Sequence, residues 1–314
     1  MSSGIVIKKL ESEIEIKEFI VAWEHVFQRK LEDEVYSWVF SEINNLYACY
    51  DGGVLVSGYC LLEINAKINN KIVIGGLCNN VFVNGFKYQK LGMFGKITNF
   101  ALEDIADRGF KFALGFPNNK AIKAHLRAGW QQDSNLPFYE FIGKPVNKID
   151  NSITIKNADL DDDSFNKICH IMNDANTRYS FLVQRSKSFL SWRLKLNPRW
   201  NYDLFFISLS DKITGFFVTK YFLDRHRVHI VDYAFSNSIE LDASVQRIYE
   251  FYTDKGVKVG CIDGWCASGD KVLFESSGFQ ESNDFSYVIF KDLSFGGLQL
   301  GTMPHLTLAD NDVY

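Results

Sequence analysis

The chain has 314 residues, 46% of them hydrophobic and 15% aromatic, and a formal net charge of −4 at pH 7. Such a length allows one to three domains, each with a sizeable core. The acidic balance argues against a nucleic-acid surface, which needs clustered Lys and Arg, and no run of about 18 apolar residues offers a membrane-spanning helix.

Met-Ser-Ser-Gly-Ile at the start lacks an apolar signal region, so a cytoplasmic protein is expected. Cys49, Cys60, Cys78, Cys169, Cys261 and Cys266 form no C-x-x-C pair, and several sit in apolar runs. They read as buried free thiols of a reducing compartment, with zinc or disulfide bonding as the lesser alternative. Residues 13 to 29 place Ile16, Phe19, Ile20, Trp23, Val26 and Phe27 at helical spacing, with His25 on the flank of that stripe. A second short helix is predicted from Asp33 to Glu42. Leu46 to Tyr50 and Val54 to Glu63 read as a hairpin around Asp51-Gly52-Gly53, and a turn at Asn69-Asn70 leads into a strand from Lys71 to Val83.

That strand ends in a polar turn bearing Gln89, Gly92 and Gly95, and a helix is predicted over Lys96 to Ala106. A strand that turns through glycine into a helix leaves the first helical N–H groups free. With the positive end of the helix dipole they form a site for phosphate. Gly92 lets the backbone approach the anion without a Cβ in the way. No Gly-Lys-Ser/Thr follows and the spacing is not G-x-G-x-x-G, so nucleotide hydrolysis and dinucleotide binding are not indicated.

Gln89-x-x-Gly92-x-Phe94 resembles the pyrophosphate loop of the GNAT superfamily of acyl-CoA-dependent N-acyltransferases, Gln/Arg-x-x-Gly-x-Gly/Ala, with Phe94 at the small position. Asn118, Ala121, His125, Gly129 and Trp130 resemble the same family's Asn-x-x-Ala-x-x-x-Tyr-x-x-x-Gly-Phe, with His125 at the tyrosine. The resemblance covers residues 1 to about 145 and extends less closely beyond. It implies an acyl-CoA co-substrate, acetyl-CoA or 3-hydroxybutanoyl-CoA, and no metal. The pyrophosphate would be held at Gln89, Lys90, Leu91, Gly92, Met93, Phe94 and Gly95, with Asn118 also in contact with CoA. The pantetheine would pair with the backbone of Phe82, Val83 and Asn84. His125 would protonate the leaving thiolate, the Asn84 amide would hold the acceptor or acyl oxygen, and His25 would line the acceptor site. An incidental polar role is the alternative for His125, and a solvated or structural role for His25.

Lys144 to Asn151, polar and with one proline, is the linker candidate. Asp161-Asp162-Asp163-Ser164 reads as the cap of a helix reaching about Asn173, with a metal site as the alternative. The segment from Arg178 to Arg193 resembles a helix of tandem GNAT proteins, and its Arg178 and Tyr179 are acceptor-binding candidates. Strands are predicted at Leu204 to Ser208, Thr214 to Tyr221 and Arg227 to Phe235, while the tail from Leu293 to Tyr314 is turn-rich and unassigned.

An internal repeat is visible. Asp107-Arg-Gly-Phe-Lys-Phe is echoed by Asp254-Lys-Gly-Val-Lys-Val, and Gly129-Trp130 by Gly278-Phe279, at offsets of 147 and 149 residues. The expected fold is therefore α/β, an α+β mixed sheet, in two tandem GNAT-like domains. Residues 1–145 would bind acyl-CoA, and 152–314 would be a degenerate copy helping to form the acceptor site, with a purely structural role as the alternative. Opposite Gln89 to Phe94 the second half has Ser236 to Leu241, with no glycine and with Glu240 and Asp242 to repel a pyrophosphate. Asp232, in the matching strand, is the candidate base, with a water relay as the alternative.

Two-domain GNAT proteins of this length resemble bacterial enzymes that acylate nucleotide-linked amino sugars, dTDP-3-amino-3,6-dideoxyhexoses in particular, for surface polysaccharide. The implied partner is that small molecule, with neither nucleic acid nor membrane, and the protein would be a monomer or homodimer. Two rival readings are a Fem-type aminoacyl-tRNA-dependent ligase, which the acidic balance disfavours, and a non-catalytic CoA-binding regulator.

Overall fold

The computed structural model describes residues 4–41, 45–145, 152–175, 177–294 and 296–311. Most of the linker expected at 144–151 lies outside those residues. The first part of the chain forms β1 (Ile5–Lys9), α1 (Glu13–Phe27), α2 (Asp33–Ser41), β2 (Asn45–Asp51), β3 (Val54–Ile68), β4 (Lys71–Val83), α3 (Phe86–Lys90), α4 (Met93–Asp107), β5 (Phe112–Gly115), α5 (Ile122–Arg127) and β6 (Gln131–Ile142). Then come β7 (Ile153–Ala158), α6 (Asp162–Ala175), β8 (Phe181–Val183), α7 (Lys187–Leu190), β9 (Asp203–Leu209), β10 (Lys212–Phe222), β11 (Arg227–Ala234), α8 (Ser238–Asp254), β12 (Cys261–Trp265), α9 (Lys271–Ser276), β13 (Gln280–Asp292) and β14 (Pro304–His305).

Local chemistry sets several of these boundaries. Ser12 and Glu15 close a capping box that starts α1, and the helix buries Phe19 and Trp23 as its apolar stripe predicts. Ser164 N–H donates to Asp161 at 2.8 Å, so the acidic run before α6 acts as a helix cap. The sequence echo has a physical basis too. Gly109, Gly129, Gly256 and Gly278 all have positive φ, at 93°, 80°, 74° and 82°. Each follows a helix, and the next residue's N–H reaches back to a carbonyl of the last turn: Phe110 to Ile105, Trp130 to His125, Val257 to Tyr252 and Phe279 to Phe274. These are glycine stops of four helices, two in each half of the sequence.

The chain forms two compact units. One comprises Met1–Ala66, Ile72–Asn135 and Ser286–Gln299; the other comprises Lys67–Lys71, Leu136–Phe285 and Leu300–Tyr314. The sequence reading divides the chain once, near 144–151, whereas these units interleave. In the first unit the strand order is β1-β2-β3-β4-β5-β13, with β4 and β5 parallel and β13 antiparallel to β5 through Ile289–Asp292. Met93, Ile97, Ala101 and Ile105 of α4 pack on Tyr47, Tyr59, Leu61 and Ala113. In the second unit the order is β6-β12-β11-β10-β9-β7, with β11 and β12 parallel and β6 antiparallel to β12 through Phe138–Ile142. There Leu241, Val245, Ile248 and Tyr252 of α8 pack with Phe205, Phe217, Ile230 and Ile262.

Candidate active site

The first unit holds a strand that opens. Pairing of β4 with β5 runs from Gly75↔Phe112 to Cys78↔Gly115, where β5 ends. Ile74 accepts a hydrogen bond from Lys111 N–H at 2.8 Å, so even-numbered backbone groups of β4 face β5 there. Asn80 then adopts a left-handed conformation, φ 47°, and the alternation shifts by one residue. Beyond it the Phe82 carbonyl accepts from Ser57 Oγ at 2.8 Å, and Asn84 N–H donates to the Val56 carbonyl at 2.8 Å. Both therefore face β3. Val83 is left with its backbone groups turned to the side that β5 no longer covers.

Side chains follow the same shift. Cys78, Val81 and Val83 pack towards the α4 core, whereas Phe82 lies on the other face against Phe19 at 5.1 Å. Of the three residues expected to pair with an extended thioester arm, Val83 is the one whose backbone groups point away from β3. Phe82 and Asn84, expected to share in that pairing, have the backbone groups named above bonded to β3 instead.

The turn after β4 is more helical than expected. Gln89 and Lys90 belong to α3, and α4 begins at Met93, three residues before the predicted Lys96. Gly92 is the N-cap of α4 with φ 67°, and a Cβ built there meets nothing within 4 Å. Its glycine is thus required by backbone conformation rather than by space. No side chain caps this helix and no acidic residue lies in its first turn. The N–H groups of Met93, Phe94 and Gly95 have no carbonyl ahead of them within the helix, and Leu91 and Gly92 are exposed. Tyr88 donates to Asp51 at 3.0 Å and anchors α3 to the β2–β3 turn.

Asn118 accepts from Lys120 and Ala121 N–H, both at 3.0 Å, and so fixes the entry to α5. His125 is only 4% exposed. Its ring packs against Phe94 at 4.8 Å and Trp130 at 5.5 Å. Nδ1 lies 3.1 Å from the Ala121 carbonyl, and Nε2 lies 3.7 Å from Cys78 Sγ. Burial pushes His125 down from the ordinary 6.5 to about 4, so the ring is neutral at pH 7. A carbonyl only accepts, so Nδ1 carries the hydrogen and Nε2 is bare.

A bare nitrogen does not protonate a thiolate, so the resting tautomer conflicts with the general-acid role expected from the family pattern. The sequence reading passed over two neighbours. Cys78, half-buried at the point where β4 and β5 part, offers its thiol to His125. Tyr59 lies fully buried beside Cys78 and Thr98, and burial holds its phenol well above the usual range. The available signal for Cys78 was its place just before Asn79-Asn80 in the strand.

The remaining candidates are distributed as follows. His25 is exposed near the end of α1. Asp232, Arg178 and Tyr179 belong to the second unit. Asp232 is fully buried and bidentate with Arg185 at 2.8 and 3.0 Å, and it accepts from Thr307 Oγ1 at 2.9 Å. Asp310 binds the same guanidinium at 2.6 Å. A carboxylate held in that way is an ion-pair partner, not a free base. Tyr179 donates to buried Asp270 at 3.0 Å, and its ring lies 4.5 Å from that of His305. Arg178 donates to the Phe235 carbonyl at 2.6 Å. The tail that the sequence left unassigned thus supplies His305, Thr307 and Asp310 to buried polar clusters. Among the described residues, Glu140, Cys261 and Asp263 lie close enough to share a cation, but Arg227 already bonds both carboxylates.

Residues 7–132 match the family model described as an acetyltransferase (GNAT) domain. A GCN5-related N-acetyltransferase from Anabaena variabilis superposes with a TM-score of 0.74 at 13% identity, covering 92% of this chain and 73% of that one. Eis1 from Mycobacterium abscessus gives 0.65 at 16% identity, covering 92% and 74%. A tandem GNAT protein from the clavulanic acid biosynthesis pathway gives 0.58 at 8% identity, covering 92% and 99%. At such identities the likeness is one of fold. No curated protein matches the chain. The chain carries a GNAT acetyltransferase domain in a mixed α/β fold.

Proposed function

We propose that the protein transfers an acetyl or 3-hydroxybutanoyl group from CoA to the amine of a nucleotide-linked amino sugar, in the cytoplasm, as a step towards bacterial surface polysaccharide. The uncapped, acid-free start of α4 beneath Gly92 supports the acyl-CoA half of this reading. In the proposed pose the CoA pyrophosphate sits on the N–H groups of Met93, Phe94 and Gly95. The pantetheine then runs along the open edge at Val83, and the thioester reaches the region of Cys78 and His125. The acceptor half rests on the family resemblance. The second half of the sequence is proposed as a copy without a CoA site.

The test is a screen of amine acceptors with acetyl-CoA and 3-hydroxybutanoyl-CoA, following release of free CoA thiol. A dTDP-linked 3-amino-3,6-dideoxyhexose should stimulate release strongly, and aminoacyl-tRNA should not. If simple amines, peptides or aminoglycosides are acylated and every amino-sugar nucleotide is refused, the acceptor assignment is wrong. If acyl-CoA fails to bind, the whole reading fails.

A further inference from the structure

We propose that Cys78 is an acyl-accepting nucleophile, activated by His125, so that transfer passes through a Cys78 thioester. The proposal rests on the acyl-CoA reading of the same site. Three features carry it. The first is the pair itself: Cys78 Sγ lies 3.7 Å from His125 Nε2, within the range of a sulfur hydrogen bond. The second is the orienting group. The Ala121 carbonyl at 3.1 Å from Nδ1 fixes the tautomer in which Nε2 accepts a proton. Nucleophile, base and orienter therefore stand in the order that activates a thiol, with a backbone carbonyl in the third place.

The third feature is position. Cys78 is the last residue of β4 paired with β5, half-buried, at the opening where the thioester arm is proposed to lie. The second unit shows that the fold does not demand this pair. There the last β11–β12 pair is Ile230↔Gly264, matching Cys78↔Gly115. The carbonyl that closes the glycine stop of α9 belongs to Phe274, matching His125 in α5. Ile230 and Phe274 are both fully buried in an apolar core. Where the second half packs two hydrocarbons, the first half places a thiol and an imidazole.

The step balances without a further reactant. Cys78 Sγ attacks the acyl carbonyl of acyl-CoA and its proton passes to Nε2. The tetrahedral adduct collapses, the carbonyl–sulfur bond to CoA breaks, and the imidazolium returns that proton to the CoA thiolate. The acceptor amine then attacks the Cys78 thioester, the Cys78 thiolate leaves, and the amine's surplus proton reaches it through Nε2. The neutral imidazole is the form these steps require at their start, and the imidazolium forms only beside the thiolate, whose charge offsets the burial that otherwise keeps the ring unprotonated.

The experiment needs no acceptor. Intact-protein and peptide mass spectrometry follow the protein after mixing with acetyl-CoA, while calorimetry measures CoA binding separately. One acetyl group should appear on Cys78, labile to neutral hydroxylamine, with CoA thiol released in equal amount or, if the thioester hydrolyses, continuously. Cys78→Ala should bind CoA and form no adduct, and His125→Phe should slow acylation roughly 10²–10⁴-fold. Failure to bind CoA would remove the underlying acyl-CoA reading and this inference with it. CoA binding with no adduct and no thiol release, or an adduct on another cysteine, overturns this inference alone. So does undiminished thiol release by Cys78→Ala.

Discussion

Two helices begin at matching places, and their beginnings differ in kind. Before α4 stands Gly92, with no side-chain cap and no acid in the first turn. Before α8 stands Asn237, whose side chain accepts Glu240 N–H at 3.0 Å, while the Glu240 carboxylate accepts Ser236 N–H at 2.6 Å. One helix start has no side-chain cap from its own chain; the other is already occupied by its own chain. The strand ends differ in the same sense. β4 opens at Cys78 and Val83, whereas β11 leads to Asp232, clamped by Arg185. The second half thus satisfies internally the polar ends that the first half leaves uncapped, which is the contrast on which the proposal of a single CoA site rests.

The comparison breaks first at Asp232. If that carboxylate is structural, Asp232→Ala leaves the buried Arg185 guanidinium with Asp310 as its remaining carboxylate and should destabilise the protein by about 2–3 kcal/mol, short of the loss expected for a wholly unpaired charge. Urea unfolding measures this. Unchanged stability with a collapse in turnover would instead return Asp232 to the role of base.

His125 sharpens the comparison by its pH dependence. Its folded value of about 4 lies below the ordinary 6.5, so between those limits the unfolded chain binds a proton that the folded chain refuses. The contribution is fully present above pH 6.5 and declines as pH falls towards 4, by about 3 kcal/mol in all. His125→Phe copies Phe274 and should flatten this part of the stability curve. Equal slopes for wild type and variant between pH 6.5 and 4 would show that the ring is solvated.

The smallest effect concerns the closed helix. Asn237→Ala removes a cap and should lower stability by about 1 kcal/mol while leaving CoA affinity alone. A change in CoA affinity would place ligand at α8.

Much of this pattern could be read from the residues. β4 is legible to the residue because the Asn69-Asn70 turn and the polar turn after Val83 mark its boundaries. The repeat was visible because helix stops require glycine at positive φ, a constraint that hydrophobic drift does not erase. The partners of β6 and β13 were not visible, since nothing local in an alternating strand names the edge it joins. Asp232 and the tail were opaque for the same reason: Arg185 meets Asp310 across 125 residues, and no spacing rule reaches that far. His125 was found by spacing, but its protonation state depends on Phe94, Trp130 and Cys78 closing around it.

The central claim is that acyl-CoA is held at the start of α4 and nowhere else in the chain. Calorimetric titration with CoA tests it most directly, using wild type and Gly92→Asp, which sets a carboxylate against the pyrophosphate and forces a side chain into φ 67°. One CoA per chain for wild type, and no detectable binding for a folded Gly92→Asp, is the predicted result. Two CoA per chain, or unaltered affinity in the variant, would contradict the account.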